Sequence, residues 1–452
     1  MLFSFEVKPK MNISDEQKKI LNAIINKKNV FITGPGGCGK SYFINFFKEY
    51  TSVNTPNTKL ALTSTTGISA LLIGGCTIHS YLGIGLAKES AYVLSNKIKK
   101  SKFHLDRWKK LDILIIDEVS MLSIELFEKL DEIAKKLRKN ESPFGGIQLI
   151  LSGDFLQLPS VNSTSFLFNS KIWKDTVHDT FYLEKIFRQD DNSFIDILSE
   201  ARFGKLSSDS VKMIRERENA TVDISYVPTK LFSLNKNVET YNRKCLDKLT
   251  KTEASLFEYA IEIAVSIPNI LERVIEEEDI DNMVEDHKVF SGLYHKYLKN
   301  IQARRVLEVC TGCHVMMLVN KYFSQGIVNG SQGVVIGFSE NQCPIVKFYN
   351  GQVIEIEPNI WVIEEDGKEI CSYTQIPLKL SYAASIHSSQ GATLDYAEID
   401  FDGMFEYGQA YVALSRVKKI ENLIVRNFSS VRIKAHPEAI EYYVNLKEDK
   451  ND

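Results

Sequence analysis

The apolar run Val30-Phe31-Ile32-Thr33 breaks straight into Gly34-Pro35-Gly36-Gly37-Cys38-Gly39-Lys40-Ser41, and helical spacing follows from Tyr42 to Tyr50. A buried strand, a glycine turn and a helix start in immediate succession leave few possible folds. The glycines let successive backbone N–H groups curl toward one point, and the helix N-terminus behind them adds a favourable dipole. That cradle suits a phosphate, with Lys40 reaching β- and γ-phosphates and the Ser41 hydroxyl ligating Mg²⁺. Such a loop belongs at the end of a strand in a parallel sheet covered by helices.

The surrounding texture agrees. Leu60–Thr63, Ile113–Ile116 and Gln148–Leu151 are further short apolar runs, and Ser123 to Lys136 has helical spacing. A metal-side carboxylate is needed beside the phosphate loop, and Asp117-Glu118 follows Ile113–Ile116. Asp117 would hold the metal through water, and Glu118 would polarise the attacking water as general base. Taken alone, an Asp-Glu pair there is an ordinary solvated strand end; its spacing from the glycine loop favours chemistry. Gln157, in Gly153-Asp154-Phe155-Leu156-Gln157, stands at a further strand end where it could sense a γ-phosphate. Arg188 and Arg416 each lie in an apolar context, as inward-facing guanidinium groups do. Such groups either stabilise transition-state charge or form structural ion pairs, and the sequence leaves both open.

With 452 residues there is room for two or three domains, and the net charge of −3 argues against a surface coated with nucleic acid while allowing a basic groove. Seven scattered cysteines, an odd number, read as reduced thiols of an intracellular protein. No apolar run reaches the roughly 18 residues of a membrane span, and Met1 to Lys10 does not look like a targeting peptide. A nuclear, cytoplasmic or viral replication compartment is the expectation.

The first domain is expected over residues 1–200, with a short basic insertion at about 82–110 that carries Lys97, Lys99, Lys100 and Lys102. A second α/β domain is expected over 201–436, interrupted at about 255–375. From Thr250 to about Lys299 the chain reads as acidic and helical, with Glu276-Glu277-Glu278-Asp279 its densest run, a solvated face. Hairpin signals at Asn329-Gly330, Asn350-Gly351 and Asp366-Gly367 between β-rich runs then predict a small antiparallel barrel. Residues 437–452 read as a tail.

The blocks in order resemble superfamily-one helicases of the RecD/PIF branch, and within it the PIF (petite integration frequency) family. Thr63-Ser64-Thr65-Thr66-Gly67-Ile68-Ser69-Ala70 with Thr77-Ile78-His79-Ser80 is similar to that family's DNA-contacting segment. Phe127–Asp131 through Pro143–Gln148 resembles the stretch that sets PIF proteins apart. Ser385-Ile386-His387-Ser388-Ser389-Gln390-Gly391 and Tyr407–Arg416 look like the last two motifs. The resemblance runs from about Ile13 to Phe428. It implies two RecA-like P-loop domains, a β-barrel insertion in the second, ATP and Mg²⁺ between the domains, and single-stranded DNA across their tops. It also implies adenine recognition by Gln17, finger roles for Arg188 and Arg416, and coupling of ATP to DNA through Gln390 and Gly391. Thr65, Thr66, Gly67, His79 and His387 become DNA contacts, and the basic insertion lies beside a duplex junction. The implied activity is 5′-to-3′ unwinding of DNA by a monomer, in replication, repair, recombination or telomere maintenance. The family usually has a basic residue where Ser388 stands, which puts one phosphate contact in doubt.

Two other readings stay open from the residues: an RNA-directed helicase of the same superfamily, and a single-strand binding factor without catalysis. The intact Lys40, Asp117, Glu118, Arg188 and Arg416 speak against the latter. Cys310-Thr311-Gly312-Cys313-His314 matches a haem-attachment pattern and half a zinc site. No second cysteine pair stands at zinc-like spacing, so neither haem nor zinc is expected.

Overall fold

A computed structural model describes residues 12–448, apart from 86, 161–164, 219, 222–226, 234, 252–254, 266–300, 302, 320, 328–329 and 366–367. The chain forms two compact units, Met1–Val222 with Ser385–Asp452, and Asp223–Ala384.

The first unit is built on six strands: β1 (Val30–Thr33), β2 (Leu60–Ser64), β3 (Cys76–Thr77), β4 (Ile113–Asp117), β5 (Gln148–Ser152) and β6 (Asp179–Tyr182). They lie in the order β3-β2-β4-β5-β1-β6, and every pair is parallel. Strands β1, β4 and β5 are buried along their whole length, which is why their sequences are near-continuous apolar runs without alternation. Ser64 pairs with Asp117, and Ile32 with Ser152, so the strand ends finish level at one edge. Helices α1 (Asp15–Ile25) and α2 (Lys40–Asn54) cover one face, setting Ile20, Ile24, Phe43 and Phe47 against Ile32, Ile115 and Ile150. Each fully buried side chain of that size contributes about 1.5–3 kcal/mol. The other face carries Phe127, Leu130 and Ile133 of the helix Ile124–Arg138.

The basic insertion is a pair of helices, Ala91–Lys100 and Lys102–Lys110, each capped by a serine, Ser90 and Ser101. Trp108 anchors it, fully buried with its indole N–H 3.0 Å from the Leu82 carbonyl. Farther along, Ala397–Asp400 pairs in parallel with Leu423–Arg426, and the helix Gln409–Leu414 is buried throughout. The stretch expected as a tail folds into a helix, Pro437–Glu448. Ala439, Tyr443 and Leu446 repeat at helical spacing and join the core beneath the sheet.

The second unit is antiparallel. Five strands run in the order Val353–Glu355, Pro344–Phe348, Gln332–Phe338, His314–Met317, Leu378–Leu380. The turn at Asn350-Gly351 is as expected: Gly351 takes φ +88°, and Phe348 N–H donates to the Gln352 carbonyl at 2.8 Å. Asn329 and Asp366-Gly367 lie outside the described residues. One expectation is corrected here. The segment from Thr250, read as helical, contains two strands, Phe257–Ala260 and Glu262–Val265. Phe257, Tyr259, Ile261, Ile263 and Val265 recur every second residue, a strand period that the intervening Glu258 and Glu262 obscured. Strand Glu262–Val265 pairs with 371–374. The rest of that acidic segment, Glu276–Asp279 included, lies outside the described residues.

Candidate nucleotide and catalytic site

The glycine loop leaves β1 at Gly34, whose φ of +141° only glycine adopts comfortably, and a Cβ there would stand 2.3 Å from the Leu183 carbonyl oxygen. Gly37 and Gly39 also take positive φ, and α2 starts at Lys40. The loop therefore presents its N–H groups at the head of a 15-residue helix. Lys40 folds back on the loop, donating to the carbonyls of Gly34 at 2.7 Å and Pro35 at 2.9 Å. A phosphate would have to draw the ammonium off these two neutral acceptors, an exchange that its negative charge favours.

Ser41 Oγ lies 3.4 Å from Asp117 Oδ2. Asp117 is buried, and burial raises its pKa against the pull of Ser152, Lys40 and Ser41. A buried carboxylate beside a serine hydroxyl, with no cation in direct contact among the described residues, fits a divalent ion. Next to it, Glu118 adopts φ +53°, strained for a residue with a side chain. Burial, then the charge of Asp117, pushes its carboxyl up to about 7, against Lys40, Arg416 and a hydrogen bond from Gln390. That value suits a group that must gain a proton from water near neutrality.

Gln390 Nε2 donates to Glu118 Oε2 at 2.9 Å and to Gln157 Oε1 at 3.3 Å. Three side chains expected from separate motifs thus form one chain. Both arginines converge on the same place. Arg188 donates to the carbonyls of Ser415 (3.1 Å) and Gly391 (3.3 Å). Arg416, 1% exposed, donates to the carbonyls of Val412, Ser389 and Ala392. Burial, then the charge of Arg188, lowers Arg416 to about 9. Neither guanidinium is ion-paired among the described residues, so the structural ion-pair alternative finds no partner. One buried and one part-buried cation, held by carbonyls and the Ser415 hydroxyl and by no carboxylate among the described residues, form a site suited to an anion. They line a cavity of about 500 Å³ together with Gly37, Lys40, Ser41 and Glu118.

Gln17 is buried against the glycine loop. Its Oε1 accepts from Ser14 N–H at 3.0 Å in a capping box, and its Nε2 donates to the Gly39 carbonyl at 3.2 Å. One amide proton and one lone pair remain for a ligand. Two site residues escaped the sequence reading. Phe187, 51% exposed, sets its ring beside Gly39 as well. Tyr411 accepts from Gly36 N–H at 2.8 Å. The first carried a signal, an exposed aromatic next to Arg188; the second lies inside the Tyr407–Arg416 block, but its partner stands 375 residues away in sequence.

The expected DNA contacts split into two groups. Thr65 Oγ1 donates to the Glu118 carbonyl at 3.0 Å, and Thr65 N–H to that of Asp117, so this loop is tied to the Asp117-Glu118 strand end. Thr66 Oγ1 bonds Ser69, and a Cβ at Gly67 would meet nothing within 4 Å, leaving backbone open to a ligand. His79 is half-buried, and burial lowers its pKa, so it is neutral at pH 7. His387 belongs to the other group, with Nε2 2.9 Å from Glu406 Oε2.

Among the described residues no cluster of three metal-ligating side chains exists. Cys310 and Cys313 are fully buried with sulfurs 3.3 Å apart, and burial pushes the Cys313 thiol up to about 12. His314 is turned to Tyr349, its Nδ1 2.8 Å from the phenol oxygen.

Comparison with known proteins places this geometry. Residues 12–212 match the PIF1-like helicase family. The chain is 35% identical to "Uncharacterized protein 030L" of Invertebrate iridescent virus 6, over 98% of this chain and 96% of that protein. It is 34% identical to the ATP-dependent DNA helicase PIF1 of Xenopus laevis, over 97% of this chain but 65% of the relative's length. The Pif1 helicase from Candida albicans superposes with a TM-score of 0.78 at 33% identity, covering 96% of this chain and all of that one. A Pif1 helicase from Bacteroides in complex with ADP-AlF3 and ssDNA gives 0.65 at 28% identity, over 97% and 98%. No helix among the described residues is long and apolar enough to cross a membrane. With the phosphate loop, the paired carboxylates and both arginines in one site, and with these relatives over nearly its whole length, the chain belongs to the PIF1-like helicase family.

Proposed function

We propose that the protein is an ATP-dependent DNA helicase that moves 5′ to 3′ along single-stranded DNA as a monomer. The observation that carries the reading is the meeting of Lys40, Glu118, Arg188 and Arg416 around one cavity, with neither arginine ion-paired among the described residues. In this reading Gln17 and the Phe187 ring take the adenine, and the loop N–H groups and Lys40 take the phosphates. Ser41 and Asp117 would hold Mg²⁺, which when bound neutralises phosphate charge. Glu118 accepts the proton of the attacking water, and Gln157 orients that water. Arg188 and Arg416 leave their carbonyl partners for the charge that builds on the γ-phosphate.

Gln390 and Gly391 connect this event to the segment bearing His387, and Thr65 connects it to the other DNA-facing loop. Through these links, closing and reopening of the cleft between two RecA-like domains becomes stepping along the strand. Support for single-stranded DNA as the track comes from the Bacteroides helicase solved with it. Support for polarity comes from the PIF-type blocks. Arg416→Ala should lower ATP turnover by about a thousandfold with much less change in nucleotide binding. A duplex with a 5′ tail should be unwound, and the same duplex with only a 3′ tail should not. Opening of the 3′-tailed duplex alone removes the polarity, and stronger ATPase stimulation by RNA than by DNA removes the DNA track.

A further inference from the structure

The C-terminal helix Pro437–Glu448 delivers one polar atom into the core beside the nucleotide site. Tyr443 is fully buried, yet its hydroxyl is used twice: it lies 2.5 Å from Thr33 Oγ1 and accepts Phe155 N–H at 3.1 Å. Thr33 is the last residue of β1, and Gly34 of the phosphate loop follows it. Phe155 belongs to the turn that ends at Gln157, closed by Gln157 N–H to the Asp154 carbonyl at 3.0 Å. One phenol thus ties the strand that carries the phosphate loop to the turn that carries Gln157.

The turn is braced from a second side. Asp154 takes a two-pronged contact from Arg202, at 2.9 and 2.8 Å, and in turn accepts Leu156 N–H at 3.1 Å and Gln157 Nε2 at 3.4 Å. The Arg202 guanidinium lies 4.7 Å from the centre of the Tyr443 ring. Burial, together with the charge of Asp154, keeps the phenol of Tyr443 protonated. The path from the helix runs through Phe155 and Gln157 to Gln390 and ends on Glu118 Oε2.

We infer that Tyr443 is a positioning residue for ATP hydrolysis, its hydroxyl holding Gln157 and the phosphate loop in register. The inference rests on the nucleotide reading above. Removing the hydroxyl leaves Phe155 N–H and Thr33 Oγ1 buried without this partner and frees the turn to drift, so the loss falls on the hydrolytic step.

The test is steady-state kinetics of the full chain with saturating single-stranded DNA, with active sites counted by a non-hydrolysable ATP analogue. Tyr443→Phe should lower kcat about tenfold, while KM for ATP, analogue binding and DNA binding stay near wild type. Thr33→Val should do the same, and Thr33→Ser, which keeps a hydroxyl, should restore most of the rate. The double variant Tyr443→Phe with Thr33→Val should be no slower than either alone. An unchanged kcat per active site in Tyr443→Phe overturns the inference, as does a loss that matches the fraction of inactive sites. A wild-type chain that binds the analogue but shows no ATPase overturns this inference and the hydrolytic part of the reading, and one that does not bind the analogue overturns the nucleotide reading itself.

Discussion

Glu118 sits under opposing forces. Burial and Asp117 favour its proton, while Lys40, Arg416 and the Gln390 amide favour its charge, and the balance stands at about 7 against an ordinary 4.5. The folded protein therefore binds this proton more tightly than the unfolded chain does. Its contribution to stability is fully present below about pH 4.5 and is lost as pH rises through about 7. Glu118→Gln removes that dependence, so without nucleotide or metal the variant should melt higher than wild type above pH 7, the gap closing toward pH 4.5. The same carboxyl must be ionised to act as a base. kcat/KM for ATP should fall tenfold per pH unit below about 7. Calorimetry across pH and a pH–rate profile check the two signs; a rate flat down to pH 5.5 would remove Glu118 as the base.

Among the elements, the turn Cys310–Cys313 in the second unit is the one whose sequence most invites a wrong chemistry. A thiol whose pKa is about 12 is protonated at neutral pH, and a metal would need the thiolate. The cost of deprotonating the buried Cys313 opposes zinc, and His314 is engaged elsewhere. Purified protein should hold no stoichiometric zinc or haem, and Cys313→Ala should keep ATPase activity within about twofold while losing about 1–2 kcal/mol of stability as a small cavity opens. One tightly held metal per chain by elemental analysis would defeat this. The neighbouring strands Phe257–Ala260 and Glu262–Val265 teach the reverse lesson: glutamates at the outward positions of a half-buried strand imitate a charged helix.

At the scale of the whole molecule, the net charge of −3 confines any electrostatic grip on nucleic acid to local surfaces. The helices Ala91–Lys100 and Lys102–Lys110 concentrate lysines on one such surface, although Lys97 is already paired with Glu89 and Lys110 with Asp106. Single-stranded DNA binding through about five phosphate contacts should weaken about a hundredfold between roughly 50 and 200 mM salt. Reversing Lys99 and Lys100 to Glu should flatten that slope if this surface touches the strand or the junction. Titration by fluorescence anisotropy at several salt concentrations reads both, and a salt-independent affinity would take the phosphate backbone out of the account.

The sequence alone determined the parallel sheet and its phosphate loop, because glycine spacing, short apolar runs and an Asp-Glu strand end are local signals with local causes. Lys40, Ser41, Asp117 and Glu118 stood out as candidates for that reason, and the structure brings them together. Arg188, Arg416, Gln157 and Gln390 were legible as candidates, but only the tertiary structure decided that they meet, and that carbonyls rather than carboxylates hold the arginines. It alone decided that Thr33, Phe155 and Tyr443 share one hydroxyl. The reason is physical: a hydrogen bond between residues 33 and 443 depends on how helix and sheet pack, and no residue spacing encodes the position of a buried phenol.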